Sequence, residues 1–94
     1  MIKHIVMWKF KEGTEAQQEE FFSGLLGLQG QIPELKYAEI WKSAKKDAEY
    51  DACLISDFET LEDVQTYKVD PRHVKVSSLC KSIRTARASI DYEF

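Results

Sequence analysis

The sequence predicts an α+β domain in the ferredoxin-like order β-α-β-β-α-β, with a four-stranded antiparallel sheet and its helices on one face. Three observations predict it. Segments of period-two patterning at 2–10, 37–43, 50–58 and 85–94 alternate with segments whose apolar residues recur every three or four positions. Both prolines, Pro33 and Pro71, fall where a helical pattern stops. The first strand is apolar on both faces at its middle, so the sheet needs a cover on each side.

In the first segment Ile2, His4, Val6, Trp8 and Phe10 share one face, and Lys3, Ile5, Met7 and Lys9 share the other. Glu12-Gly13 breaks the strand. Thr14, followed three residues later by Gln17, has the form of a capping box that opens a helix. Phe21, Phe22, Leu25, Leu28 and Ile32 make its apolar stripe, and Glu15, Gln18, Glu19 and Gln29 its wet side. Gly24, Gly27 and Gly30 each cost about 0.8 to 1 kcal/mol of propensity relative to Ala, so fraying is expected beyond Leu28 and an end at Pro33.

The second strand, Tyr37 to Ser43, has the mixed pattern of an edge, with Tyr37, Glu39 and Trp41 on one side. The polar stretch 44–49 reads as an exposed connection. Ala52, Cys53, Leu54 and Ile55 then form the short apolar run of a strand buried on both sides. Thr60 and Asp63 frame a helix start, with Leu61, Val64 and Tyr67 at helical spacing. Pro71 stops that helix and Asp70-Pro71 opens another, because Asp at N-cap bonds free N–H groups and Pro fits the first helical position. Val76, Leu79, Cys80 and Ile83 line the third helix. The last strand alternates strictly: Ala86, Ala88, Ile90, Tyr92 and Phe94 are expected inward, and Arg87, Ser89, Asp91 and Glu93 outward.

Right-handed crossovers put the helices on one sheet face, which leaves the second apolar face of the sheet bare in a monomer. A two-fold homodimer packing sheet on sheet is the economical solution. With 94 residues the chain is expected to be one domain spanning 1–94. Its 13 basic and 16 acidic residues give a net charge of −3 with the basic residues scattered, so no nucleic-acid partner is expected. No apolar run approaches the roughly 20 residues of a membrane span, and the opening lacks the pattern of a secretory signal. A cytoplasmic protein without a membrane partner is the expectation. Cys53 and Cys80, in strand and helix contexts, read as buried free thiols. Two histidines without HxH or HExxH spacing predict no metal site, and the glycines, which interrupt a helix, form no phosphate loop.

Four landmarks carry a resemblance over essentially the whole chain. They are Met1-Ile2-Lys3-His4-Ile5-Val6-Met7-Trp8-Lys9-Phe10-Lys11, Ile32-Pro33, Tyr50-Asp51, and Tyr67-x-x-Asp70-Pro71-x-His73-Val74. Together they resemble the stress-responsive α/β-barrel (Dabb) domain family. The resemblance implies a dimeric α/β barrel with a cavity between sheet and helices in each subunit, able to take a small apolar or aromatic ligand. It also implies a family in which most members have no established reaction and some are known chiefly as stress-induced proteins, while one is a plant polyketide cyclase that performs an aldol condensation without a cofactor. The resemblance places that enzyme's catalytic Tyr and His on Tyr67 and His73, and a first-strand histidine on His4. It departs at Asp70, where the family usually has His, so a role for that histidine does not transfer.

The residues themselves allow this chemistry. An aldol cyclisation needs a base to take a proton alpha to a carbonyl and a donor to hold the developing enolate oxygen. His73, near the start of a helix, is disfavoured as imidazolium by the helix dipole and suits the base; Tyr67 suits the donor. Trp8, His4, Tyr67 and His73 are the candidate ligand contacts, and no cofactor is expected. Plainer roles stay open: Tyr67 as a core residue, His73 as a bond across the helix break, His4 as a satisfied core histidine, Trp8 as core or interface. A carboxylate at Asp70 would raise the pKa of His73 if close to it, or else simply cap the helix.

Overall fold

The computed structural model describes residues 1–94. Its elements are β1 (Ile2–Phe10), α1 (Glu15–Leu26), β2 (Tyr37–Lys42), β3 (Ala52–Phe58), α2 (Leu61–Val69), α3 (Pro71–Ile83) and β4 (Arg84–Glu93). The strands form one antiparallel sheet in the order β2-β3-β1-β4, the ferredoxin-like arrangement the periodicities predict.

Pairing register fixes which side chains share a face, because residues directly opposite in an antiparallel pair point the same way. Ile2, His4, Val6, Trp8 and Phe10 of β1 and Ala52, Leu54, Ser56 and Phe58 of β3 are buried beneath the helices. Phe21, Phe22 and Leu25 of α1, Val64 and Tyr67 of α2, and Cys80 and Ile83 of α3 close over them. Trp8 sits within an aromatic group, its ring centroid 5.0 Å from that of Phe21 and 6.2 Å from that of Phe10. The Ser56 hydroxyl, in the same layer, donates to the His4 carbonyl at 3.0 Å and so has its own partner.

The expected orientation of β4 is reversed. Tyr92, Ile90 and Ala88 pair with Lys3, Ile5 and Met7, the face of β1 turned away from the helices, while Asp91, Ser89 and Arg87 pair with His4, Val6 and Trp8. The apolar set of β4 therefore lies on the open side, with Ile90 59% and Phe94 57% exposed. The polar set faces the helices. Tyr37 and Trp41 share the open side with Ile90 and Tyr92. That apolar second face is the feature for which the sequence demands a cover.

Two further expectations are corrected at α1. Thr14 precedes the helix, but its side chain makes no capping bond to the backbone; its hydroxyl donates to the Lys11 carbonyl and accepts from Gln18. Gln17 takes no part in a capping box. The helix also ends at Leu26, well before Pro33: Gly27 caps it still in helical dihedrals, φ −67° and ψ −12°, and the chain then runs through turns to a positive φ of 82° at Gly30. Leu28 and Ile32 stay buried as turn residues. Gly24 has a separate cause: a Cβ there would stand 3.1 Å from Val76, so its absence lets α1 and α3 approach.

The remaining caps form as predicted. The Thr60 hydroxyl accepts from the Asp63 N–H at 3.0 Å, and the Asp70 carboxylate accepts from the Arg72 N–H at 2.9 Å with Pro71 in the first turn. Asp51 anchors the loop before β3, accepting from the Phe10 N–H at 2.9 Å and from Lys9 at 3.1 Å. No helix is long and apolar enough to cross a membrane.

Candidate functional site

Between the sheet and the α2–α3 break lies a cavity of about 230 Å³. Val6 and Trp8 of β1, Leu54 of β3, and Phe21 and Leu25 of α1 give it an apolar floor. His4, Tyr67 and His73 supply its polar groups, so all four candidate ligand contacts, Trp8 included, line one space. The fold brings them together through strand alternation for His4 and Trp8 and through the helix break for the other two.

The break itself sets the closest pair. Asp70 ends α2 and starts α3 in an extended conformation, φ −60° and ψ 131°, which turns α3 back so that the Tyr67 and His73 rings lie 4.4 Å apart at 53°. Phe58 continues the row, 5.1 Å from Tyr67 and 6.1 Å from His4.

His73 Nδ1 lies 3.1 Å from the Lys68 carbonyl oxygen. A carbonyl only accepts, so Nδ1 carries the hydrogen and Nε2 is left with the lone pair. Burial holds the His73 pKa below its ordinary value against the opposing effect of that bond, and the charges of Arg87 and Lys68 push the same way as burial. The ring is thus a neutral base. The bond also spans the helix break, so the structural role left open for His73 is filled by the same atom that fixes its tautomer.

Tyr67 is 1% exposed and its hydroxyl has no hydrogen-bond partner within the chain. Burial alone raises its pKa well above the ordinary phenol value, so the hydroxyl stays protonated and free to donate. A core tyrosine that serves only packing normally satisfies its hydroxyl. This one lines the cavity.

His4 is 2% exposed, and its Nδ1 lies 2.5 Å from the Asp91 carboxylate. Burial lowers the His4 pKa, with Asp91 opposing, so the neutral ring donates its Nδ1–H to Asp91. Asp70 makes no hydrogen bond to His73: its carboxylate grips Arg72 through the guanidinium and the backbone N–H, which hold its pKa down to about 2, with the His73 charge a minor contributor. Its contact is a cap and a clasp on Arg72.

The sequence reading missed residues the structure adds. Lys68, Ser77, Lys81, Arg84 and Arg87 also line the cavity, and Asp91 supports His4. Arg87 and Asp91 were expected to point outward. The available signal was the apolar outer face of β1: an apolar set on β4 belongs beside Ile5 and Met7, which puts its polar set in the cavity. Trp41 lies on the open face of the sheet, away from this site. No group of three or more His, Cys, Asp or Glu side chains is gathered in a way that could hold a metal ion.

Comparison with known proteins adds four findings. The family model described as the stress responsive A/B barrel domain matches residues 2–94. Olivetolic acid cyclase of Cannabis sativa is 34% identical over 95 residues, covering 97% of this chain and 94% of the enzyme. Among solved structures, a protein of Arabidopsis thaliana superposes with a TM-score of 0.88 at 26% identity, covering 100% of this chain and 95% of the other. A dimeric protein of ferredoxin-like fold from Bacteroides fragilis superposes with a TM-score of 0.83 at 24% identity, covering 99% and 95%.

Proposed function

Since the chain belongs to the stress-responsive A/B barrel domain family, we propose that it works as a homodimer whose subunits each bind a small aromatic or apolar ligand between sheet and helices. The observation that carries this reading is the free Tyr67 hydroxyl beside the neutral His73 in one cavity. The apolar floor would take the ligand's ring or chain, and His4, Tyr67 and His73 would orient its oxygens. The dimer rests on the exposed Trp41, Ile90 and Tyr92 of the open sheet face and on the dimeric relative of the same fold. The stress role is drawn from the family. Free thiols at Cys53 and Cys80 suit the reducing cytoplasm.

A second reading has its own support. The pair Tyr67 and His73 has the parts of a cofactor-free acid/base catalyst of the polyketide cyclase kind, and the cyclase relative is 34% identical. In that reaction His73 Nε2 takes a proton alpha to a carbonyl. Tyr67 donates a hydrogen bond to the oxygen on which enolate charge develops; the enolate carbon attacks a second carbonyl, breaking its C=O π bond to close the ring, and the resulting alkoxide takes the proton back from His73. Neither side chain changes its charge in the resting protein, so both start in the form the step requires.

A thermal-shift screen with phenols, β-diketones and short polyketide mimics tests the binding reading. A ligand at a hundred times its Kd adds about 2.7 kcal/mol of stability. The gain should vanish in Tyr67→Phe or His73→Ala. A gain unaffected by both substitutions, or no gain with any compound, refutes it; ring closure of a β-polyketone lost in either variant establishes the second reading.

A further inference from the structure

The open face of the sheet is apolar in its middle and charged at both ends. Lys3 and Lys9 stand near the two ends of β1, Asp57 near the end of β3 and Asp51 just before its start. Lys3 and Asp57 are directly opposite in register, 2.7 Å apart, and Lys9 reaches Asp51 at 3.1 Å. Ile5 and Met7 separate the two lysines, and Cys53 and Ile55 the two aspartates. One central strand is therefore basic at each end of the face and its neighbour acidic at each end. Asp57 Oδ1 is shielded from solvent, and Lys3 meets it without the alignment of a hydrogen bond, so this carboxylate has acceptor capacity left.

This pattern distinguishes the ways in which a second copy can cover the face. Two sheets packed face to face keep their strands roughly aligned, so a two-fold axis lies in the interface either across the strands or along them. An axis across the strands at mid-sheet sets each strand on its own copy with the ends exchanged. Lys3 then meets Lys9 of the second copy and Asp57 meets Asp51, like charge on like charge. An axis along the strands, through the middle of the sheet between β3 and β1, reverses the strand order instead and keeps the ends level. β1 then lies over β3 of the second copy and β2 over β4. Lys3 meets Asp57 of the second copy, Asp57 meets its Lys3, and the bulky Trp41 meets the small Ala88, which shares its level across the sheet. Glu39, also on this face, is on the edge strand with the Tyr37 hydroxyl donating to it at 2.9 Å, and stays at the rim.

Building on the homodimer reading, we propose that Lys3 and Asp57 each pair with their opposite on the second copy, and that these four charges select the partner chain. Covering an ion pair costs free energy unless further opposite charges arrive with the cover. Here a second copy of this chain brings them, and a chain with the same apolar face but another charge arrangement does not.

Exchanging the two charges tests this while leaving each chain its own lysine and aspartate. Lys3→Asp/Asp57→Lys should fold and dimerise as wild type does. A mixed dimer of one wild-type and one exchanged chain brings lysine to lysine and aspartate to aspartate, which should weaken it about thirty-fold or more, the loss expected of like charges juxtaposed in an interface. Isotope-labelled wild type and the exchanged variant are unfolded together, refolded and counted by native mass spectrometry. Fewer than about one dimer in ten should be mixed, where pairing confined to each chain gives about one in two. The single variants Lys3→Asp and Asp57→Lys, mixed in the same way, should do the opposite and form mixed dimers almost exclusively. Statistical mixing in either experiment overturns the proposal and leaves the homodimer standing. An exchanged variant that folds and stays monomeric overturns it as well, because its pairs across the interface are intact. Wild-type protein that is itself monomeric removes the homodimer reading and the proposal with it.

Discussion

Tyr67 and His73 stand ring to ring, 4.4 Å apart, across a helix break that gives them different backbone directions. The break is therefore part of the site. Lys68, Asp70 and Pro71 hold one ring's tautomer, the turn, and the start of the next helix within six residues of sequence.

Removing only the Tyr67 hydroxyl should separate chemistry from stability. That hydroxyl makes no bond within the protein, so Tyr67→Phe should leave stability unchanged or raise it by up to about 1 kcal/mol. If the pair is catalytic, turnover should fall about 10²- to 10³-fold, the range that loss of one transition-state donor costs. Urea denaturation and a ring-closure assay on the same preparation check both halves.

Asp91 should matter to the fold through His4. Asp91→Ala leaves a buried imidazole N–H without its acceptor and should cost about 1–3 kcal/mol. Asp91→Asn, which keeps an acceptor oxygen, should recover part of the loss. Chemical denaturation of the two variants against wild type measures it, and equal stability of all three would show the pair to be idle.

Acid should weaken the protein through its histidines. His4 and His73 both titrate lower in the folded protein than the ordinary value of 6.5, chiefly because burial penalises the charged ring. The unfolded chain therefore binds more protons just below that value, so stability falls as pH drops through 6.5 and levels off below the folded pKa values. Melting temperatures between pH 7.5 and 5 should show the decline, and His73→Ala should shallow it.

Asp70 should act on stability chiefly as a cap. Asp70→Ala should cost about 1 kcal/mol through the lost bond to the Arg72 N–H, while Asp70→Asn, which still caps, should cost less. Each should lower the pH at which His73 titrates, followed by NMR, because the Asp70 and His73 charges stabilise one another. An unmoved titration in both variants would show that the carboxylate acts on the helix start alone.

A charge on the open face should divide the dimer. Wild type should sediment at twice the subunit mass of 10.9 kDa, and Ile90→Lys, placed among exposed apolar neighbours on that face, should sediment at 10.9 kDa. Wild-type protein that stays monomeric at micromolar concentration would remove the dimer from the proposed function.

Where one local rule decides an element, the sequence reveals it: Thr60, Asp70 and Pro71 each need a single short-range bond or ring constraint, and the structure places all three as read. Thr14 misleads because a hydroxyl has several partners within reach, and here its oxygen accepts from the Gln18 side chain while it donates to the Lys11 carbonyl. The end of α1 depends on how much helix loss three glycines accumulate before tertiary packing compensates, a balance no motif encodes. For β4 the period is legible by itself but the phase only through its neighbour: alternation says that two faces differ, and the apolar outer face of β1 says which one meets the helices. The histidines and Tyr67 could be picked out as chemistry-bearing residues. The cations of Lys68, Lys81, Arg84 and Arg87 could not, because they come from three elements and only converge in the folded chain.

The alternation of β4 makes that strand a two-sided instrument. Arg87, Ser89 and Asp91 serve the interior while Ala88, Ile90 and Tyr92 serve the exterior, one residue apart throughout. Substitutions can adjust either side alone, but a single-residue insertion or deletion between 87 and 92 would exchange them, sending isoleucine toward His4 and aspartate toward the subunit exterior. Length in this stretch is therefore constrained more tightly than composition: variants of this chain should tolerate many replacements along β4 and almost no change in its residue count.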